Sequence, residues 1–240
     1  MKYIIAPSIL TVQKEDIVTR IKEIENSGAR WIHFDVMDGN FVPAKTFDID
    51  EIRELLSQTK VTKDVHLMIK NPRSMVKAYI DAGADNVTFH YEACKDNIEV
   101  SAVIDMIHQY GAKAGLSIKP GTDINAIIPF LSKLDLVLVM SVEPGKGGQK
   151  FIGKSLKKIN LLYKYKIENR LSRLIIEVDG GINDKTLGKC VNNGAGVLVV
   201  GSYLFNHPDY IDRFKKINAW RTNILIIFLI FYIYCLIRNF

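Results

Sequence analysis

Eight times between residues 3 and 217, a short run rich in β-branched residues gives way to a longer amphipathic stretch. The short runs fall at 3–9, 31–36, 63–68, 86–90, 113–118, 136–140, 174–178 and 197–201. The longer stretches fall near 14–27, 49–58, 72–82, 97–110, 123–131, 154–168, 184–193 and 207–217. Short continuous apolar runs suit strands buried on both faces, and apolar residues recurring every three to four positions suit helices. Strict alternation of the two predicts parallel strands, because each helix returns the chain to the end where the last strand began. Eight repeats in 240 residues therefore predict an α/β fold, a single (β/α)8 barrel. A doubly wound open sheet is the rival. It usually carries a Gly-rich turn after its first strand, whereas this one ends in Pro7-Ser8-Ile9-Leu10.

The barrel reading gathers the chemistry at one end. Ser8, His33, Asp35, His66, Met68, Met140, Asp179, Gly201 and Ser202 all fall near strand C-termini, the catalytic face of this architecture. Residues two apart on a strand share a face, so His33 and Asp35 point the same way. With His66 and Asp179 from two other strands they make a four-donor set for a divalent transition metal. A lone strand histidine is more often a hydrogen-bonded core residue, and His90 and His108 are read so. Four ionisable groups aimed into one mouth reverse that weighting, because burying them unpaired is costly. Two carboxylates also suit a reaction that removes a proton and returns one. Met37, Met68 and Met140 are read first as core filling.

Three glycine-bearing loops follow the sixth, seventh and eighth strands: Ser141 to Gln149, Asp179-Gly180-Gly181, and Gly201-Ser202. Glycines let backbone N–H groups approach an anion. Barrels commonly bind phosphate after strands seven and eight, beside a short extra helix, for which 202–206 is the candidate. One such loop is usually only a turn; three at one face point to a phosphate site. Lys146 sits among them, either in the phosphate field or pointing to solvent.

The ordered motifs resemble the ribulose-phosphate 3-epimerase family. They are Ala6-Pro7-Ser8-Ile9-Leu10, His33-Phe-Asp35-Val-Met37-Asp38-Gly39, Asp64-Val-His66-Leu-Met68, Thr88-Phe-His90-Tyr-Glu92, Lys119-Pro120-Gly-Thr122, Met140 to Gln149, and Val178-Asp179-Gly180-Gly181-Ile182. The resemblance implies a metal-dependent epimerase interconverting D-ribulose 5-phosphate and D-xylulose 5-phosphate in the pentose phosphate pathway. It implies His33, Asp35, His66 and Asp179 as ligands of one divalent ion (Zn, Fe(II), Mn or Co), with Asp35 and Asp179 as the acid/base pair. It implies substrate contacts at Ser8, His66 and Asp179, and at Gly145, Lys146, Gly147, Gly148, Gly180, Gly181, Gly201 and Ser202. It also implies a homo-oligomer. The chain departs from the family pattern at Lys146, where an aromatic residue is usual, at Ala44, and at Gly194-Ala195-Gly196. Two rivals compete. An epimerase of allulose 6-phosphate would use the same ligands, but tends to vary the Asp-Gly-Gly motif that is intact here. A non-catalytic, membrane-tethered sugar-phosphate-binding protein rests on the C-terminal residues alone.

Composition matters at three points. The net charge of +6 is scattered, with no long basic run or helix-turn-helix pattern, so a nucleic-acid partner is not expected. Cys94, Cys190 and Cys235 show no C-x-x-C spacing, which fits a reducing, cytoplasmic setting. Residues 224–237 form an unbroken apolar run, short of the roughly 20 residues a membrane span needs. The expected organisation is an epimerase barrel over 1–218 and a hydrophobic tail over 219–240. That tail is read first as non-native or poorly integrated sequence, with a membrane anchor and a packed extension behind.

Overall fold

A computed structural model describes residues 3–219. Its eight strands are β1 (Ile4–Pro7), β2 (Trp31–Met37), β3 (Thr62–Met68), β4 (Asn86–His90), β5 (Lys113–Ile118), β6 (Leu136–Met140), β7 (Ile175–Asp179) and β8 (Val197–Val200). They pair in parallel in the order β1-β8-β7-β6-β5-β4-β3-β2. A parallel bridge between Ser8 and His33 joins β1 to β2 and closes the ring. The expected (β/α)8 barrel is the observed fold.

The helices are α1 (Ile17–Asn26), α2 (Ile49–Ser57), α3 (Pro72–Asp81), α4 (Asn97–Gln109), α5 (Ser155–Glu168), α6 (Leu187–Asn192), α7 (Ser202–Phe205) and α8 (Tyr210–Asn218). Local chemistry sets their starts. Asp48 accepts from the Asp50 and Glu51 amides while Glu51 reaches back to the Asp48 amide, a reciprocal cap on α2. Pro72 opens α3, where its missing N–H is no loss. One expectation fails. The segment 123–131 forms two 3₁₀ turns, Ile124–Ala126 and Ile128–Phe130, in place of a helix. Pro129 lacks the N–H a continuing helix needs and disfavours helical backbone at Ile128. The short helix expected after β8 is present as α7.

Strand alternation divides the core in two. The outward residues of β2 (Ile32, Phe34 and Val36) pack in the large cluster with helix residues such as Ile21, Ile52 and Val103. The inward set is itself divided. Ala6, Leu136, Leu138, Val197 and Val199 with Trp31 make an apolar side. Most inward polar residues lie on β2 to β5 (His33, Asp35, Asp64, His66, Asn86, Thr88, His90 and Ser117), while Glu177 sits on β7 between Leu138 and Val197; all are buried. So much buried polarity on one side of a barrel needs a function or a partner for each group.

Among the described residues no helix is long and apolar enough to cross a membrane. The apolar run 224–237, and with it the expected tail, lies outside the described residues.

Candidate active site

Register builds the site. In the β2–β3 ladder His33 pairs with Asp64 and Asp35 with His66, so four ionisable side chains enter the barrel side by side. Asp179 is the last residue of β7, opposite Met140 on β6. One donor atom from each of His33, Asp35, His66 and Asp179 lies within 4.8 Å of every other. The bridge between Ser8 and His33 brings the Ser8 hydroxyl over Asp35, to which it donates at 2.7 Å on Oδ2. This leaves Oδ1 of Asp35 facing His66 Nδ1 at 3.2 Å.

His33 is held from behind. Its Nδ1 lies 2.7 Å from Asp64 Oδ2, and Asp64 in turn accepts from the Asn86 side-chain amide at 3.3 Å. The other ring nitrogen, Nε2, is buried and makes no hydrogen bond, with Asp35 Oδ1 3.4 Å away. An orphaned imidazole nitrogen, two carboxylates and a second imidazole within one small sphere fit a divalent cation. The mixed N/O set is compatible with Zn, Fe(II), Mn or Co.

The electrostatics are uneven. Burial pushes the Asp35 carboxyl up, but His33 and His66 beside it outweigh that and hold it well below the usual range. Asp179 is pushed up to about 6, by burial first and by the Asp35 charge second. Burial would lower His33, yet Asp35 and Asp64 raise it well above an ordinary imidazole. Glu177, fully buried one inward position below Asp179, makes no hydrogen bond through either oxygen, with His33 Nδ1 3.9 Å from Oε1; burial and the Asp64 charge raise its pKa well above the usual value. Two carboxylates at one mouth with pKa values driven apart suit an acid and a base.

Above this floor opens a cleft at the strand C-terminal ends. Its walls contain Ser8, Asp35, Asp179 and every glycine expected at a phosphate: Gly145, Gly147, Gly148, Gly180, Gly181 and Gly201. Ser202 and Lys146 also line it. Gln149 staples the loop after β6 by donating to the Glu143 and Lys146 carbonyls at 2.6 and 2.8 Å. Met37, Met68 and Met140 line the wall rather than merely filling core. His66 is not in the wall; it lies buried beneath, among the charged groups.

The sequence leaves two groups unassigned and gives a third, His90, only a core role. Asp64 and Glu177 sit two residues before His66 and Asp179, so strand alternation already puts them on the inward face. His90 was placed with hydrogen-bonded core residues, and it is one, but its partners are His66 Nε2 at 2.9 Å and Glu92 Oε2 at 3.2 Å. His108 is half-exposed, 2.8 Å from Asp135, at the opposite end of the strands.

A closed parallel barrel with paired imidazoles and carboxylates at the C-terminal ends of its strands defines an α/β-barrel enzyme of metal-supported acid–base chemistry. Known proteins narrow this class. The model of the ribulose-phosphate 3 epimerase family matches residues 4–205. A chloroplastic ribulose-5-phosphate-3-epimerase of Arabidopsis thaliana is 42% identical over 216 residues, covering 90% of this chain and 76% of its own length. The ribulose-phosphate 3-epimerase of Bacillus subtilis is 40% identical over 217 residues, covering 90% and 97%. The chain belongs to the ribulose-phosphate 3-epimerase family. It is an isomerase of a divalent-metal family, and the His/Asp cluster at the strand ends is able to bind such an ion. The orotidine 5'-monophosphate decarboxylase of Sulfolobus solfataricus shares the fold alone: TM-score 0.64 and 15% identity, over 92% of this chain and 99% of that one.

Proposed function

We propose that this chain interconverts D-ribulose 5-phosphate and D-xylulose 5-phosphate by inverting C3, with Asp35 and Asp179 as the acid/base pair. The observation that carries the reading is the juxtaposition of a buried carboxylate on β2 and a partly buried one on β7, within 4.8 Å of each other and of two imidazoles. The C3 proton is weakly acidic because C2 beside it is a carbonyl. Inversion removes it from one face and delivers a proton to the other, which takes a base on each side. Asp35 and Asp179 stand on strands with β1 and β8 between them, so a sugar lying across the mouth meets one carboxylate on each face. In the forward direction one carboxylate takes the proton and the other gives; the roles exchange in reverse. A divalent ion held by His33, Asp35, His66 and Asp179 supplies positive charge against the negative charge that develops beside C3.

The Ser8 hydroxyl fixes the Asp35 carboxylate in its plane through Oδ2. The apolar Met37, Met68 and Met140 exclude water from the reacting carbon without competing as donors of charge. We assign the phosphate to the loops after β6, β7 and β8. Gly148, Gly180 and Gly181 all carry positive φ, a backbone form that turns successive N–H groups toward one point. Gly145, Gly147, Gly201, Ser202 and Lys146 complete that rim. We further assign the barrel to a cytoplasmic homo-oligomer, with residues 219–240 as an appendage. Both described cysteines are unpaired, in keeping with a reducing compartment.

Turnover compared on D-ribulose 5-phosphate and D-allulose 6-phosphate, with C3 proton exchange followed in D₂O, tests the assignment. Preferred turnover of the pentulose, with solvent deuterium at C3, is expected. A preference for the hexulose moves the substrate to the rival sugar. Binding of the sugar phosphate without exchange leaves only a binding protein.

A further inference from the structure

His90, Glu92 and the side chains that close over them take no part in the reaction above, yet they abut a proposed metal ligand. The two imidazoles of the site face it through different atoms. His33 presents Nε2 and turns Nδ1 to Asp64. His66 presents Nδ1, 3.2 Å from Asp35 Oδ1, and turns Nε2 to His90 Nε2 at 2.9 Å. A ring nitrogen that holds a cation carries no proton, so the His66 proton belongs on Nε2. That proton is donated to His90 Nε2, which must accept it. His90 then carries its own proton on Nδ1, which points to Glu92 Oε2 at 3.2 Å. Glu92 Oε1 accepts from the Lys119 amide at 2.8 Å and from the Thr122 hydroxyl. Every link runs one way, and the chain ends on a carboxylate.

We propose that His90 and Glu92 are positioning residues for the metal: a buried imidazole–carboxylate relay that sets the tautomer and ring orientation of His66. Asp64 does the same for His33 without an intermediary. The inference rests on the four-donor metal reading of the preceding section. Its setting is built for the task. The Phe41 ring lies over His90, centroids 4.8 Å apart, and Lys119 Nζ caps Phe41 at 4.2 Å. His90 is thus fully buried, with both ring nitrogens facing fixed partners. Burial alone would raise Glu92, but hydrogen bonds from His90, Thr122 and the Lys119 amide hold it at about 2. An ordinary core histidine requires none of this directionality.

The test uses the full-length protein with Co²⁺ as the probe. Affinity is measured by chelator competition, ligand field by the visible absorption of bound Co²⁺, and ring protonation by long-range ¹H–¹⁵N correlation on Zn²⁺-loaded protein. Glu92→Gln and His90→Gln are expected to weaken Co²⁺ binding by about 10- to 100-fold, the range for groups that back metal ligands, and to shift the spectrum. Glu92→Asp should recover part of the affinity. In the wild type, His66 should carry its proton on Nε2 and His90 on Nδ1. A purely structural role would lower Tm in both Gln variants and move neither affinity nor spectrum. That result, or a proton on His90 Nε2, overturns the relay. Glu92 lies at the rim, so its variant reports even where His90→Gln does not fold. A wild type whose Co²⁺ affinity ignores His33→Ala refutes the metal reading itself; one that loses Co²⁺ with His33→Ala but not with Glu92→Gln refutes the relay alone.

Discussion

Gly148 separates a glycine needed by the backbone from a glycine needed by the substrate. Its φ is +74°, and a Cβ built there meets nothing within 4 Å. The fold therefore asks for a left-handed residue at 148 but has no steric objection to a side chain. Gly181 is the contrast. Its φ is +64°, and a Cβ would sit 2.5 Å from the Phe151 backbone nitrogen, so any substitution there damages the fold first. At 148, Ala pays the left-handed penalty of roughly 1–2 kcal/mol, whereas Asn adopts that conformation readily. If the 148 backbone donates to the substrate phosphate, a side chain on it disturbs a charge-assisted hydrogen bond of roughly 1.5–3 kcal/mol. At 1.4 kcal/mol per decade, KM for D-ribulose 5-phosphate should rise roughly 10- to 150-fold in both Gly148→Ala and Gly148→Asn. Metal content should stay unchanged, and Tm should fall less in the Asn variant. The assay is a coupled steady-state measurement on both variants, with thermal unfolding and metal analysis of the same samples. A Gly148→Asn variant with wild-type KM would show that the glycine serves only as a turn, and the phosphate assignment of the loop after β6 would fall.

Asp35→Asn and Asp179→Asn should each reduce kcat by at least about 10²–10⁴, the usual contribution of a general acid or base. Both also alter proposed ligands, so metal content is measured alongside, and near-normal turnover by either would remove the acid/base assignment. Acid stability should report His90. Its folded pKa of about 4 lies below its ordinary 6.5, so between those values the unfolded chain binds more protons. The stability it contributes is complete above pH 6.5 and is lost as pH falls toward 4, amounting to about 3 kcal/mol at most. Urea unfolding of chelator-treated protein across that window should show the loss, and His90→Gln should flatten it; an equal slope in both refutes the burial argument. Deleting residues 221–240 should improve solubility and leave kcat/KM largely intact, because the last barrel helix ends at Asn218. A truncated protein that fails to fold would make those residues part of the core.

The strands were legible because their residues are β-branched and buried on both faces, which leaves little competition for their assignment. β4, β5 and β6 begin and end where the sequence puts them. The 123–131 segment was not legible as turns, because its apolar spacing is helical and only Pro129 contradicts it. At the site, the donors His33, Asp35, His66 and Asp179 could be named from strand position and mouth-facing polarity. Their supports could not. Alternation puts Asp64, His90 and Glu177 on the inward face, but which inward residues meet depends on the stagger between strands. That stagger pairs His33 with Asp64 on β3 and sets His90 of β4 against His66.

The lopsided barrel interior follows from the chemistry at its mouth. An apolar side built from Ala6, Leu136, Leu138, Val197 and Val199 carries the packing that a polar interior cannot supply. The polar side is costly to bury, and its charged groups lean on one another. Asp35 is ionised because His33 and His66 flank it. His33 can be buried because Asp64 and Asp35 bracket it. Glu177 is pushed well above the usual carboxylate range by burial first and by the Asp64 charge second. Replacing one member leaves an unpaired buried group, which costs more than the lost hydrogen bond itself. The mouth is therefore a coupled network rather than four independent ligands, and substitutions at Asp64 and His33 should be strongly non-additive. Asp64→Asn and His33→Asn combined should harm stability less than their separate effects summed, because the second change removes the partner the first left unpaired. Urea unfolding of the two single variants and the double variant measures this coupling; strict additivity would mean that the 2.7 Å contact between Asp64 and His33 carries no energy.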